Sequence, residues 1–159
     1  AQQFGNAFSL FTSQNYGGKK KERIRRGTSL AVGVSVIFCI FISVIVWIFA
    51  APLIRIFLDS PDQEIIRAGV TYLHIEGAFY WGIGCLFLLY GLYRGIERPV
   101  MSLVLTILSL GTRVVLAYLL APRPQFGVNA IWWAIPIGWI LADTVGFLYY
   151  RKMRKQKII

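Results

Sequence analysis

Four long apolar runs decide what this chain can fold into. Residues 28–51 carry no charge at all, and runs 70–93, 100–121 and 128–150 are broken only by His74 and Glu76, by Arg113 and by Asp143 respectively. Each run has at least 22 residues, and about 20 mostly apolar residues suffice for a helix to cross about 30 Å of hydrocarbon. A backbone in lipid must satisfy its own polar groups, so such runs predict helices. The fold class that follows is all-α, a polytopic transmembrane bundle with spans at about 28–51, 61–93, 100–121 and 128–150. Residues 1–18 are helical in pattern but too short to span, and are expected to be the end of a truncated helix. The chain starts without Met, already inside that pattern, which points to a longer protein whose N-terminal part lies upstream.

Composition supports this reading. Hydrophobic residues make up 57% and charged residues 15%, whereas soluble domains carry about 45–50% and about 25%. The net charge of +10 would suit a nucleic-acid partner if it were spread over a surface. Here it is clustered between apolar runs, so no nucleic acid is expected and the lipid bilayer is the partner. Loop by loop, Lys and Arg number 6, 2, 2, 1 and 5. The rich segments, 19–27 and 151–159, fall on one side, which the positive-inside rule makes a cytoplasmic loop and a cytoplasmic tail. Tyr16, Tyr90, Tyr93, Tyr149 and Tyr150 mark that interface, while Trp47, Tyr72, Trp132 and Trp133 mark the opposite one.

The turns carry their own signals. Gly17 and Gly18 suit a left-handed cap of the first helix. Ser60 with Gln63, and Pro61 between them, suit a capped helix start. Pro99 opens another helix, and Pro52 is expected to stop the first span. Pro136 should kink the last.

Small residues name the helix contacts, because close backbone approach drives helix association in lipid. The last span has Ala130, Ala134, Gly138, Ala142 and Gly146 every fourth residue. The second has Gly77, Gly84 and Gly91 every seventh, with Gly95 one turn on. The third shows Ser102, Thr106, Ser109, Arg113 and Ala117 on one face. The first span lacks such a stripe and is expected to be the most lipid-exposed.

Charges at membrane depth each ask for a reason, since insertion of one at the centre costs about 2.5–3.5 kcal/mol. Glu76 and Arg113 lie at one depth and are expected to face each other or a common wet cavity. They serve either as a structural pair or as a proton- or substrate-linked site. Asp143 is expected to pair with Arg94, or with Asn6 or Gln14, or to serve as a transport residue. His74, the single histidine, is either an interfacial polar group or a pH sensor. Cys39 and Cys85 read as small apolar residues. No phosphate loop, metal cluster or nucleophile with a spaced base is present, so neither an enzyme nor a bound cofactor is expected.

Gly5-Asn6-Ala7, then Gln14-Asn15-Tyr16-Gly17 and a basic loop, resembles the end of a repeat helix in the multidrug and toxic compound extrusion (MATE) transporters. Tyr93-Arg94-Gly95-Ile96, followed by Pro99, is similar to that family's Arg-Gly turn. The resemblance runs along essentially the whole chain. It implies the last part of the second lobe of a twelve-helix, two-lobe antiporter, resident in the plasma (inner) membrane. It also implies export of drugs or organic cations against sodium ions or protons as the coupling ion. Sodium-coupled relatives carry an acid midway along the helix ending in Arg94-Gly95, whereas residues 82–89 hold none. Glu76 is therefore not equated with that ligand, and the coupling ion stays open. Two alternatives stand beside this reading: a lipid-linked oligosaccharide flippase of the same superfamily, and a non-transporting membrane scaffold.

Overall fold

A computed structural model describes residues 1–57, 63–123, 127 and 129–159. Among them are seven helices and no strand: α1 (Gln2–Gly17), α2 (Lys21–Ile48), α3 (Ala50–Phe57), α4 (Gln63–Ala78), α5 (Tyr80–Gly95), α6 (Pro99–Leu120) and α7 (Asn129–Lys155). Three of them, α2, α6 and α7, are each long and apolar enough to cross a membrane, and α4 with α5 passes the same test as one broken span. The proposed cap at Ser60 and Pro61 lies outside the described residues, as do Pro124 and Val128.

The span expected over 61–93 is two helices, bent by 51°. The break falls at Phe79, where the amides of Phe79 and Gly82 reach back only three residues, to the carbonyls of Glu76 and Phe79. Gly77 and Gly82 flank this site but leave every backbone donor in place, so packing sets it. The first span is likewise interrupted earlier than expected, after Ile48. Pro52 sits in the first turn of α3, and its missing N–H leaves the Ile48 carbonyl, four residues back, without a helical donor, so the interruption falls there. Pro136, expected to kink α7, lies inside an unbroken helix and is buried.

Three helices end in the same way. Lys19, Glu97 and Lys157 adopt positive φ of 54°, 58° and 55°. In each case the amide of that residue bonds the carbonyl three residues back, and the next amide bonds five back: Lys20 to Asn15, Arg98 to Tyr93, Ile158 to Met153. This is the Schellman closure. The expected glycine cap is therefore corrected: Gly18 has φ −77°, and Lys19 takes the left-handed position.

Helix α5 is the hub, touching α1, α2, α6 and α7, and its small residues set those contacts. A Cβ on Gly95 would lie 2.6 Å from Cβ of Thr12, and one on Gly5 would lie 2.5 Å from the Phe87 carbonyl oxygen. Gly91 faces the Gly5 carbonyl, so α1 and α5 meet backbone to backbone. Gly84 instead abuts Ser35 and Cys39 of α2, while Gly77 lies beside Val46. On α7, Gly138 approaches the Ser109 carbonyl of α6, and Gly146 fits beneath Leu89 and Leu105. Ala130, Ala134 and Ala142 of the same stripe are buried. The Tyr93 hydroxyl donates to the Gly146 carbonyl at 2.6 Å, tying α5 to α7 near their ends.

The reading of α2 as the most exposed span needs correction. In its most apolar window 17% of residues are buried, against 11% in α6. Thr28, Ala31, Ser35 and Cys39 form a buried small-residue face on α2. That face was missed because its members include Thr and Cys as well as Ala and Ser.

The two basic segments meet at one end of the bundle. Lys21 Nζ donates to the Lys157 carbonyl, and Arg25 donates through Nε and Nη2 to the Ile159 main-chain oxygen at 3.1 and 2.7 Å. Arg98 donates to the Tyr149 hydroxyl at 2.7 Å. At the far end, aromatic rings gather in pairs: Tyr72 with Trp132, and Phe79 with Trp133.

Candidate functional site

The break between α4 and α5 and the glycines of α5 together create a polar belt inside an otherwise apolar bundle. Glu76 stands in the last turn of α4, three residues before Phe79, and is 5% exposed. Its Oε1 is buried without a hydrogen-bond partner. Arg113 extends from α6 past Gly138, and its guanidinium carbon lies 5.3 Å from the centroid of the Trp139 ring, within cation–π range. Its Nε is also buried without a partner. Glu76 and Arg113 lie near enough to influence each other electrostatically. Among the described residues, however, no ion pair joins them. The expected facing pair is thus an open arrangement, with Trp139 holding the cation.

Asp143 projects from α7 onto α5. A Cβ on Gly82 would lie 3.7 Å from its Oδ2, so the carboxylate packs directly beside the α5 backbone at Gly82. Asp143 is 6% exposed, and both its oxygens are buried without partners. It lines a cavity of about 370 Å³ together with Trp81, Cys85, Ile140 and Thr144. Thr144 spends its hydroxyl on the Ile140 carbonyl at 2.7 Å. The partners expected for Asp143 are corrected. Arg94 donates to Asn6 Oδ1 at 3.0 Å, because Arg94 lies twelve residues beyond Gly82, about 18 Å along the helix. Gln14 is exposed, on α1.

His74 is placed against α2. Its ring stacks on Trp47 with centroids 4.7 Å apart, and Nε2 lies 3.2 Å from the Trp47 carbonyl oxygen. Of the remaining motif residues, Asn15 donates through Nδ2 to the Phe11 carbonyl at 2.7 Å and Gly17 is in open space. The Asn6–Arg94 bond closes α1 onto α5 beside the Gly91 and Gly95 contacts.

The family model described as MatE matches residues 1–119. The chain belongs to the MatE family. It is 32% identical over 149 residues to "Probable multidrug resistance protein YpnP" of Bacillus subtilis (strain 168), covering 92% of this chain and 32% of that protein. It is 26% identical over 135 residues to "Probable multidrug resistance protein NorM" of Thermotoga maritima, covering 84% of this chain and 28% of that protein. A structure titled as the inward-facing conformation of a multidrug resistance MATE family transporter superposes with a TM-score of 0.87. That match is at 24% identity and covers 97% of this chain and 35% of the other. The MatE chain thus spans about a third of the length of the relatives it matches.

Within this MatE bundle, two polar atoms escaped the sequence reading: Trp139 Nε1 and Thr12 Oγ1 are buried and unpartnered. Cys85, read as a small apolar residue, lines the Asp143 cavity. Trp139 had a usable signal: it lies four residues before Asp143, on the same helix face. Thr12 had none, because its burial depends on the approach of Gly95.

Proposed function

We propose that the protein containing this chain is a secondary-active efflux antiporter, exporting drugs or organic cations in exchange for sodium ions or protons by alternating access. On this reading it lies in the plasma (inner) membrane with a cytoplasmic C-terminus, and this chain supplies the last spans of its second lobe. The observation that carries the proposal is the pair of buried carboxylates with unpartnered oxygens, Glu76 and Asp143, within a MatE-family bundle. An unpaired buried charge is strongly unfavourable and is tolerated where a cation comes and goes. Glu76 also adjoins a helix break, and broken helices near the midplane are where transporters place their ion sites.

A lipid-linked oligosaccharide flippase would need a strongly cationic cavity for phosphate. Within the four apolar runs Arg113 is the one cation, against two carboxylates, so the efflux reading is preferred.

The test uses the full-length protein in drug-hypersensitive cells and in membrane vesicles. Ethidium efflux should follow an imposed sodium or proton gradient, and Glu76→Gln or Asp143→Asn should abolish the gradient dependence of at least one. Efflux by both variants with unchanged gradient dependence would remove the basis of the proposal.

A further inference from the structure

We propose that the cleft between α2 and α7, at the end of the bundle that carries the basic segments, binds the phosphate headgroup of an anionic membrane lipid. This does not depend on the transport reading. No Cα of α2 comes within 8 Å of a Cα of α7, so a groove separates them. At the basic end it widens to a cavity of about 480 Å³. Arg25 and Arg26 line one wall and Arg154 the other, with Glu22 the single carboxylate. Three arginines against one glutamate leave the cleft cationic.

The arginines are arranged for capture of an oxyanion. Arg25 is fixed in its wall by the two bonds to the Ile159 main-chain oxygen. Arg26 pairs with Glu22 at 3.0 Å, but both side chains are mostly exposed, at 78% and 65%. Exposed pairs of this kind are weak, so a phosphate can exchange for the carboxylate. Guanidinium groups match phosphate oxygens two at a time, and Ser29 adds a hydroxyl to the same lining.

The other side of the cleft selects a lipid over a free anion. Val32 and Phe147 form its apolar floor. Phe147 is shared with the neighbouring cavity, which Trp81, Ile140 and Leu148 also line, and this surface continues the cleft as an apolar track for an acyl chain. Tyr150 stands at the rim, where amphipathic rings favour the headgroup level. Basic pockets between membrane helices are known seats of anionic headgroups. A soluble phosphate would use only the arginines and leave this track uncovered.

The experiment uses the full-length protein, purified in detergent, and measures binding of phosphatidylglycerol and phosphatidylcholine by native mass spectrometry. Glycerol phosphate serves as the soluble competitor. Phosphatidylglycerol should bind in preference to phosphatidylcholine, and glycerol phosphate should not displace it. Each basic residue near the surface contributes about fivefold to such binding, so Arg26→Gln with Arg154→Gln should weaken it about 30-fold. Lys152→Gln with Lys155→Gln, which removes the same charge off the cleft, should leave it unchanged. Glu22→Gln should tighten it about fivefold, and it decides the matter if the arginine variant fails to fold. Three results would overturn the proposal: no preference between the two lipids, equal losses in the cleft and off-cleft variants, or displacement by glycerol phosphate.

Discussion

Replacing Gly91 with Ala should destabilise the full-length protein by about 1–3 kcal/mol, the range for overpacking a filled interior. At Gly91 the new methyl points at the Gly5 carbonyl, and the Ser9 amide nitrogen would lie 3.3 Å from it. Backbone cannot rotate away as a side chain can, so α1 and α5 must part by the better part of an ångström. A gap of about 0.5–1 Å forfeits a quarter to a half of each dispersion contact it opens, and it strains the neighbouring approaches of Gly5 and Gly95. Against this stands the usual gain of about 1 kcal/mol when Ala replaces Gly inside a helix. Gly33→Ala is the matched control, because a Cβ there meets nothing within 4 Å, and it should be neutral or stabilising by up to about 1 kcal/mol. Both variants can be followed by SDS titration of the folded protein in mixed micelles. If Gly91→Ala is as stable as Gly33→Ala, the backbone-to-backbone packing of α1 on α5 is wrong.

Three further predictions follow from single contacts. Tyr93→Phe removes a buried bond to the Gly146 carbonyl, which keeps its helical donor, so it should cost about 0.5–1.5 kcal/mol in the same titration. Glu97→Gly should stabilise by about 1 kcal/mol, because a side chain at positive φ pays a penalty of about 1–2 kcal/mol that Gly does not; an unchanged midpoint would argue against the left-handed cap. Asp143→Asn removes a buried carboxyl that is costly to ionise without a partner, so it should reduce gradient-driven ethidium efflux with little change in the thermal midpoint, and a lowered midpoint with intact efflux would assign Asp143 a structural role.

Much of the fold could be read from the apolar runs because lipid leaves helices few alternatives. Pro99 opens α6 as its ring geometry dictates, and the Ala130 to Gly146 stripe is the buried face of α7. The break at Phe49 was legible from Pro52, which cannot donate to the Ile48 carbonyl. The break at Phe79 was less so, because Gly77 and Gly82 flank it without removing a backbone donor. What decides the second is tertiary: α3 and α4 fold against each other, and α4 also packs on α2 and α7, a demand that local propensity does not encode. At the site, the depth of Glu76, Arg113 and Asp143 was readable from position along the runs. Their surroundings were not, since Asp143 packs beside Gly82 of α5 and Arg113 lies over the Trp139 ring, contacts made only in the tertiary fold. The left-handed caps at Lys19, Glu97 and Lys157 were equally hidden, because glycine is the residue that advertises such a turn.

The claim on which all of this rests is that the apolar helices cross a bilayer with residues 19–27 and 151–159 emerging on one face. Labelling of single cysteines at Lys20, Lys155 and Arg55 with a membrane-impermeant maleimide, in intact cells expressing the full-length protein, tests it directly. The account predicts that Arg55→Cys reacts at once and that Lys20→Cys and Lys155→Cys react only after permeabilisation. Labelling that places Lys20 and Lys155 on opposite sides of the membrane would contradict it.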